Sequence, residues 1–293
     1  MSAKNLPNLL VAGAPRCGST TLQKFIGGHH QCFSPKVKEP HFFCHEYVGR
    51  GPKSVGSGTV TKEDEYRNLY SEADATAAQI RGDYSIGSLV FHQHSIPRIK
   101  SLLEEPKIVL ILREPIQRAF SSYLLHLKTG IEELDFKDAI SVEVERRRAE
   151  EGLWFGFQHR SISKYSAGVE SFLKEFSEVK VIIFEDFFGN LEAGVTELFD
   201  FLELDYDVAK LSSPSKENSS LVPYSPTLSK VVNALGRQVP FARSFLTKID
   251  NMQKYRPDLP EELVAELVGY FRDDVKKLED VIKRDLTVWS PFS

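Results

Sequence analysis

A chain of 293 residues with 41% hydrophobic and 11% aromatic side chains is long enough to bury one large core. Its net charge of −4 excludes a general nucleic-acid binder, which needs an excess of Lys and Arg on one face, so any basic site must be local. Cys17, Cys32 and Cys44 are too few for a disulfide framework, no charged n-region leads into an apolar stretch, and no apolar run approaches the roughly 20 residues of a membrane helix. These features predict a cytoplasmic protein without a membrane span.

The first apolar run, Leu9–Ala12, leads into Gly13-Ala14-Pro15-Arg16-Cys17-Gly18-Ser19-Thr20 and then into a helix predicted over Thr20–Gly27. A G-x-x-x-x-G turn between strand and helix is the P-loop spacing, which gathers backbone N–H groups and a helix N-terminus around an anion. P-loop nucleotidases place Lys directly after the second glycine and then a Ser or Thr on Mg²⁺. Here Ser19 takes the lysine position and the cation, Arg16, sits inside the loop. The cradle therefore suits an anion other than ATP. Its amides favour a depressed thiol pKa at Cys17, but no His or second Cys is spaced for nucleophilic catalysis, and Cys17 is read as a small packing residue.

Further along, Tyr47–Thr61 is rich in Gly and Ser and lacks periodicity, as is Asp205–Pro240 with its prolines, so both read as long surface loops of the lid or binding type. Helices are predicted over Ser95–Glu104, Pro115–Thr129, Phe136–Glu151, Ile162–Phe176, Leu191–Leu202 and Pro260–Arg284. Between them, Lys107–Leu112 and Val179–Phe184 are short β-branched runs suited to buried parallel strands. The alternation predicts an α/β fold, a P-loop-like central parallel sheet flanked by helices on both faces, in a single domain over residues 1–293. Arg146, Arg147 and Arg148 within Glu143–Glu151 read as a solvated helix face with i,i+4 pairs. The late helix leaves a monomer or a homodimer open.

The strand Ile108–Leu112 runs into Arg113-Glu114-Pro115-Ile116-Gln117-Arg118-Ala119-Phe120-Ser121-Ser122-Tyr123. A P-loop nucleotidase ends its second diagnostic strand in an Asp that helps to hold Mg²⁺; this strand ends in Arg113. The carboxyl end of a central strand is where open α/β sheets bind ligands, and a guanidinium fork matches phosphate oxygens bidentately. Ser121, about two turns along the following helix at 3.6 residues per turn, can reach the same phosphate. A salt bridge with Glu114 is the plainer account of Arg113, and the glycine loop tips the balance toward an anion site.

Taken together, Gly13–Leu22 and Ile108–Tyr123 resemble the 5′-phosphosulfate loop and the 3′-phosphate segment of the sulfotransferases that use 3′-phosphoadenosine 5′-phosphosulfate (PAPS). Lys38-Glu39-Pro40-His41-Phe42-Phe43, Gly82-Asp83-Tyr84-Ser85, Phe184-Glu185-Asp186-Phe187 and Lys277–Trp289 extend the resemblance over most of the chain, toward the carbohydrate-type branch and its bacterial relatives. The resemblance implies sulfuryl transfer from PAPS to a hydroxyl of a carbohydrate, lipid or other small molecule, releasing PAP, with no metal. It implies Glu39 as the general base, with His41 orienting the acceptor or sharing the proton, on one face of an extended segment. Arg16 stands where the family has a catalytic lysine and acts as an electrostatic clamp, and Lys38 is placed to supply the missing ammonium. Cys17, Gly18, Ser19, Thr20 and Thr21 would hold the 5′-phosphate, and Arg113 and Ser121 the 3′-phosphate. Cys44, where relatives carry an acid, and Tyr84, where they carry a base, sit at positions that touch the acceptor and weigh against a sulfated glycosaminoglycan. His126, His159 and Arg160 either line the acceptor cleft or are ordinary surface and capping residues. Two other functions fit parts of the pattern: an ATP–Mg²⁺ small-molecule kinase using Asp186, and a PAP sensor without turnover.

Overall fold

The two apolar runs Leu9–Ala12 and Lys107–Leu112 lie side by side in the middle of a sheet. The computed structural model describes residues 6–51, 58–205, 222–223, 254–255 and 257–292. In chain order, β1 (Leu9–Gly13) is followed by α1 (Ser19–Gly27), β2 (Cys32–Phe33), a 3₁₀ turn at Phe42–Cys44, α2 (Glu63–Asn68), α3 (Ala73–Ala77) and β3 (Ile80–Asp83). Next come α4 (Gly87–Val90), α5 (His92–Leu102), β4 (Lys107–Leu112), α6 (Pro115–Thr129), α7 (Phe136–Ala139), α8 (Val142–Glu150) and α9 (Ser166–Glu175). The chain continues through β5 (Val179–Ile183), α10 (Phe184–Gly189), α11 (Leu191–Leu202), β6 (Val222–Pro223), β7 (Lys254–Tyr255) and α12 (Glu261–Ile282). The main sheet has the order β2-β3-β1-β4-β5 with every neighbouring pair parallel, and helices pack around it. β6 and β7 form a separate antiparallel pair.

β1 is buried along its whole length and β4 at every residue but Lys107. Continuous rather than alternating apolarity is what a strand covered on both faces requires. Both strands deliver their carboxyl ends, Gly13 and Leu112, to one rim of the sheet, where the glycine turn and Arg113 begin. The helices Pro115–Thr129 and Leu191–Leu202 and the strand Lys107–Leu112 have the bounds expected from sequence.

β3 carries no apolar run, yet it lies between β2 and β1. Its charges are absorbed locally. Arg81 donates through Nε to Leu6 O at 2.7 Å and through Nη1 to Ala78 O at 3.0 Å. Asp83 accepts from Tyr66 Oη at 2.5 Å and from Ser85 N at 2.7 Å. Each partner replaces the water that a buried charge gives up.

The helix expected over Phe136–Glu151 is two helices, because Ser141 Oγ accepts from Val144 N at 3.3 Å and caps a new start at α8. The arginine run is also divided. Arg146 pairs with Glu150 on the surface as expected, at 3.1 Å, whereas Arg148 turns inward and grips Glu132 with two hydrogen bonds of 2.8 Å. The helix expected from Ile162 starts at Ser166, where Asp274 of α12 accepts from Tyr165 N at 2.8 Å and from Ser166 Oγ at 2.6 Å. Helix α12 buries Leu263, Leu267, Phe271, Val275 and Leu278 and packs against α9 and α6, so its apolar face is spent inside this chain. Most of the loop Asp205–Pro240, and residues 52–57 of Tyr47–Thr61, lie outside the described residues.

Asp274 thus caps α9 from a helix distant in sequence. Asp274→Ala is expected to lower stability by about 1–2 kcal/mol, the cost of a lost cap, read as a shift in the urea midpoint with an unchanged slope.

Candidate active site

Gly18 is the N-cap of α1 and adopts φ 95°, a left-handed conformation natural to glycine. A Cβ there would lie 2.7 Å from the Phe188 ring, so the loop needs glycine on steric grounds as well. Gly18 offers no side-chain cap, so the Ser19 and Thr20 amides stand at the helix end with its positive dipole, whereas the Thr21 N–H is already donated to Gly18 O at 2.9 Å. Ser19 and Thr20 do not act as N-caps.

Arg16, also left-handed at φ 67°, reaches across to α6 and donates to Ser121 Oγ from Nε at 3.4 Å and from Nη2 at 3.3 Å. The two motifs, more than a hundred positions apart, therefore touch. Burial first, and then the neighbouring charges of Arg113 and Arg118, lower the Arg16 pKa to about 10. It stays protonated at neutral pH.

Arg113 makes no salt bridge with Glu114, whose carboxylate instead caps α6 by accepting from Ile116 N at 2.6 Å and Gln117 N at 2.9 Å. The Arg113 guanidinium lies 4.7 Å from the centre of the Phe184 ring, and its Nε is buried without a partner among the described residues. Arg118 is fully buried. It donates to Ser163 Oγ at 2.6 Å and to the His159 carbonyl, and its Nη1 is unpartnered among the described residues. Sequence reasoning passed over Arg118, although an arginine amid Ile116, Ala119, Phe120 and Tyr123 was a visible signal of a buried cation.

On the other side of the loop, Lys38 Nζ donates to Thr20 Oγ1 at 2.7 Å and pairs with Glu39 at 3.2 Å. Glu39 Oε2 lies 3.5 Å from His41 Nε2. The juxtaposition of Glu39 and His41 matches expectation, but the backbone route differs: His41 is left-handed at φ 49° and begins the 3₁₀ turn rather than continuing a strand. Burial pushes the Glu39 pKa up, and the His41 hydrogen bond and the Lys38 charge outweigh it, leaving Glu39 below the usual carboxylate range. The segment is anchored through His41 N, which donates to Ser85 Oγ at 2.9 Å, and Ser85 is in turn tied to Asp83. Asp83 and Ser85 lie in the Gly82–Ser85 segment noted in the sequence, but their role as a support for His41 was not read there.

Several expectations change. Cys17 is fully buried, and burial pushes its thiol up to about 11, so the loop amides do not activate it; its Sγ faces Pro15 O at 3.6 Å and only its main chain can meet a ligand. Cys44 and Tyr84 are fully buried, Tyr84 against Ser34 Oγ at 2.8 Å, so neither touches an acceptor. His126 and His159 are also fully buried and are neither surface residues nor cleft walls. Arg160 stacks on Tyr270 at 3.7 Å and pairs with Glu266. Asp186, the acid a kinase would use, is paired with Arg284.

The geometry sets a strand-to-helix glycine turn beside Arg16 and Arg113, with the Glu39 carboxylate held by Lys38 and His41 on its other side. A family model described as "Sulfotransferase family" matches residues 7–208, and the chain belongs to that family. Over 291 aligned residues it is 21% identical to carbohydrate sulfotransferase 15 of Mus musculus, covering 82% of this chain and 51% of that protein. The chain thus spans about half the length of the curated relative it matches. The crystal structure of a sulfotransferase from Alicyclobacillus acidocaldarius is similar with a TM-score of 0.75 and 25% identity, over 97% of this chain and 98% of the other. Among the described residues no helix is long and apolar enough to cross a membrane.

The buried histidines generate a pH prediction. Glu132 accepts from Arg148 and lies 3.4 Å from His159 Nε2. Burial raises its pKa, but His159 and Arg148 outweigh this and bring it to about 2. Burial brings His159 down to about 4 from an ordinary 6.5. In this range the unfolded chain takes up protons that the folded chain refuses, so stability is full above pH 6.5 and is lost as pH falls toward 4 and below. Glu132→Gln is expected to cost about 3–5 kcal/mol at neutral pH, by stranding Arg148, and to flatten the acid limb of urea stability measured against pH.

Proposed function

We propose that the chain is a single-domain, cytoplasmic PAPS-dependent sulfotransferase that sulfates a hydroxyl of a carbohydrate, lipid or other small molecule. One observation carries this reading: Arg16 reaches from the Gly18 turn onto Ser121 of α6, beside Arg113 with an unpartnered buried Nε and Arg118 with an unpartnered buried Nη1 among the described residues, and burial together with these two charges lowers the Arg16 pKa. Charges of one sign gathered against their own repulsion call for a polyanion. The residues fit a donor with two separate phosphate ends. The Arg113 guanidinium rests on Phe184 with a buried, unpartnered Nε, which leaves it free to hold a 3′-phosphate together with Ser121. The amides of Gly18, Ser19 and Thr20 and the main chain of Cys17 would hold the 5′ end, with Thr21 contributing its hydroxyl because its N–H is donated to Gly18 O at 2.9 Å.

When bound, PAPS supplies an electrophilic sulfuryl group whose departure leaves PAP. The chain's own groups do the rest. Glu39, held ionised by His41 and Lys38, takes the proton of the acceptor hydroxyl on its carboxylate. Arg16 and Lys38 stand over the loop as fixed positive charges where negative charge collects on the leaving phosphate, Lys38 through its contact with Thr20. His41, 1% exposed and fastened through its backbone to Ser85, fixes the direction of the Glu39 carboxylate.

Incubation with PAPS and a panel of sugar, lipid and phenolic alcohols is expected to yield a sulfate ester and PAP in equal amounts, without loss of activity in EDTA. Arg113→Ala is expected to weaken PAP binding by about 1.5–3 kcal/mol, the weight of a charged hydrogen-bond partner, as read by calorimetry; undiminished affinity removes Arg113 from the donor site. Glu39→Gln is expected to leave PAP affinity intact and to cut turnover by about 10²–10⁴-fold, the usual contribution of a positioned base. Equal turnover in that variant would assign proton removal elsewhere.

A further inference from the structure

The peptide unit that joins Arg113 to Glu114 is held at both of its polar atoms. Its carbonyl oxygen accepts from Tyr165 Oη at 3.0 Å. Its N–H donates to Glu185 Oε1 at 3.1 Å. Both holders meet the same side chain near the end of the chain. Trp289 Nε1 donates to Glu185 Oε2 at 2.8 Å, and the Trp289 ring packs against the Tyr165 ring at a centroid distance of 6.3 Å. Trp289 is fully buried, so its N–H needs an acceptor, and Glu185 provides it. Phe184, next to Glu185, lies against the Arg113 guanidinium.

A peptide plane fastened at C=O and N–H cannot turn, and this fixes the backbone from which the Arg113 side chain projects. We infer that Tyr165, Glu185 and Trp289 form a bracket of positioning residues for Arg113, through which the buried indole sets affinity for the 3′-phosphate end of the nucleotide and not for its 5′ end. The inference rests on Arg113 being the 3′-phosphate ligand. Phe184 and Glu185 are the first two residues of α10, directly after β5, so one strand-to-helix junction supplies both the surface under the guanidinium and the anchor of its backbone. The tryptophan arrives from beyond α12, which brings the far end of the described chain to bear on the site.

The test compares PAP with AMP, which lacks only the 3′-phosphate, by calorimetry on the full chain. The wild type is expected to bind PAP far more tightly than AMP. Trp289→Phe keeps an aromatic ring and removes the N–H, and Tyr165→Phe removes only the hydroxyl. Each is expected to lose about three- to tenfold in PAP affinity, a fraction of a charged hydrogen bond, with AMP affinity unchanged. Trp289→Phe combined with Glu185→Gln should lose less than the product of the separate losses, because the two act through one contact. Leu263→Ala serves as a control, a core truncation at the start of α12, the end of the helix away from Trp289, that lowers the melting temperature, and it should leave the PAP to AMP ratio at the wild-type value. A parallel fall in PAP and AMP affinity, or an unchanged ratio in both Trp289→Phe and Tyr165→Phe, overturns the bracket; if Trp289→Phe does not fold, Tyr165→Phe decides alone. A wild type that binds PAP no better than AMP overturns the donor reading itself, and the bracket with it.

Discussion

Positive charge that the protein does not neutralise organises the rim of this sheet. Arg16, Arg113 and Arg118 come from a loop, a strand end and a helix, yet all three lie close enough for burial and mutual repulsion to depress the Arg16 pKa. Nearby carboxylates are engaged elsewhere: Glu114 caps its own helix, Glu185 serves a backbone N–H and an indole, and Asp186 holds Arg284. A buried cation without an ion-pair partner is costly; Arg118 is fully buried, Arg16 and Arg113 are half-buried beside it, and none of the three makes a salt bridge among the described residues, an arrangement that an anionic ligand would relieve. The parallel sheet makes this possible by bringing the ends of β1 and β4 to one rim.

The carboxylate side of the site follows the opposite rule. Glu39 is partly buried, which by itself favours the protonated acid, and its ionisation is secured by two basic neighbours. Those neighbours are themselves held. Lys38 is fastened to Thr20 at the start of α1, and the His41 backbone is fastened through Ser85 to the buried Asp83 at the end of β3. The electrostatic state of one half-buried group therefore depends on a strand whose sequence, Ile-Arg-Gly-Asp, does not look like a strand.

What could be read in the sequence were features written in local patterns. The continuous apolar runs of β1, β4 and β5 and the glycine spacing before α1 fixed the sheet type and the rim, and the Arg113 to Ser121 spacing placed both on one turn and helix. What could not be read were interactions that join distant positions. β3 escaped because its charged residues are satisfied by Tyr66, Leu6 and Ala78, none of which its own sequence announces. The start of α9 escaped because its cap is Asp274, and the inward turn of Arg148 because its partner is Glu132. In the site, the roles of Arg16, Glu39, Lys38 and His41 were assigned by motif, while Arg118, Asp83 and Ser85 lay inside the quoted segments without a role, since a buried support shows itself only through what it touches.

The short bond between Lys38 and Thr20 has a consequence for anyone wishing to re-engineer the molecule. It welds the segment carrying Glu39 to the glycine turn, so these two stretches behave as one cassette. A transplant of Lys38–Phe43 into a related scaffold without the matching threonine would move the carboxylate but leave its ammonium untethered, whereas moving both stretches together carries the working pair intact. Modular exchange in this fold is therefore best drawn along such side-chain ties and not along the boundaries of helices and strands.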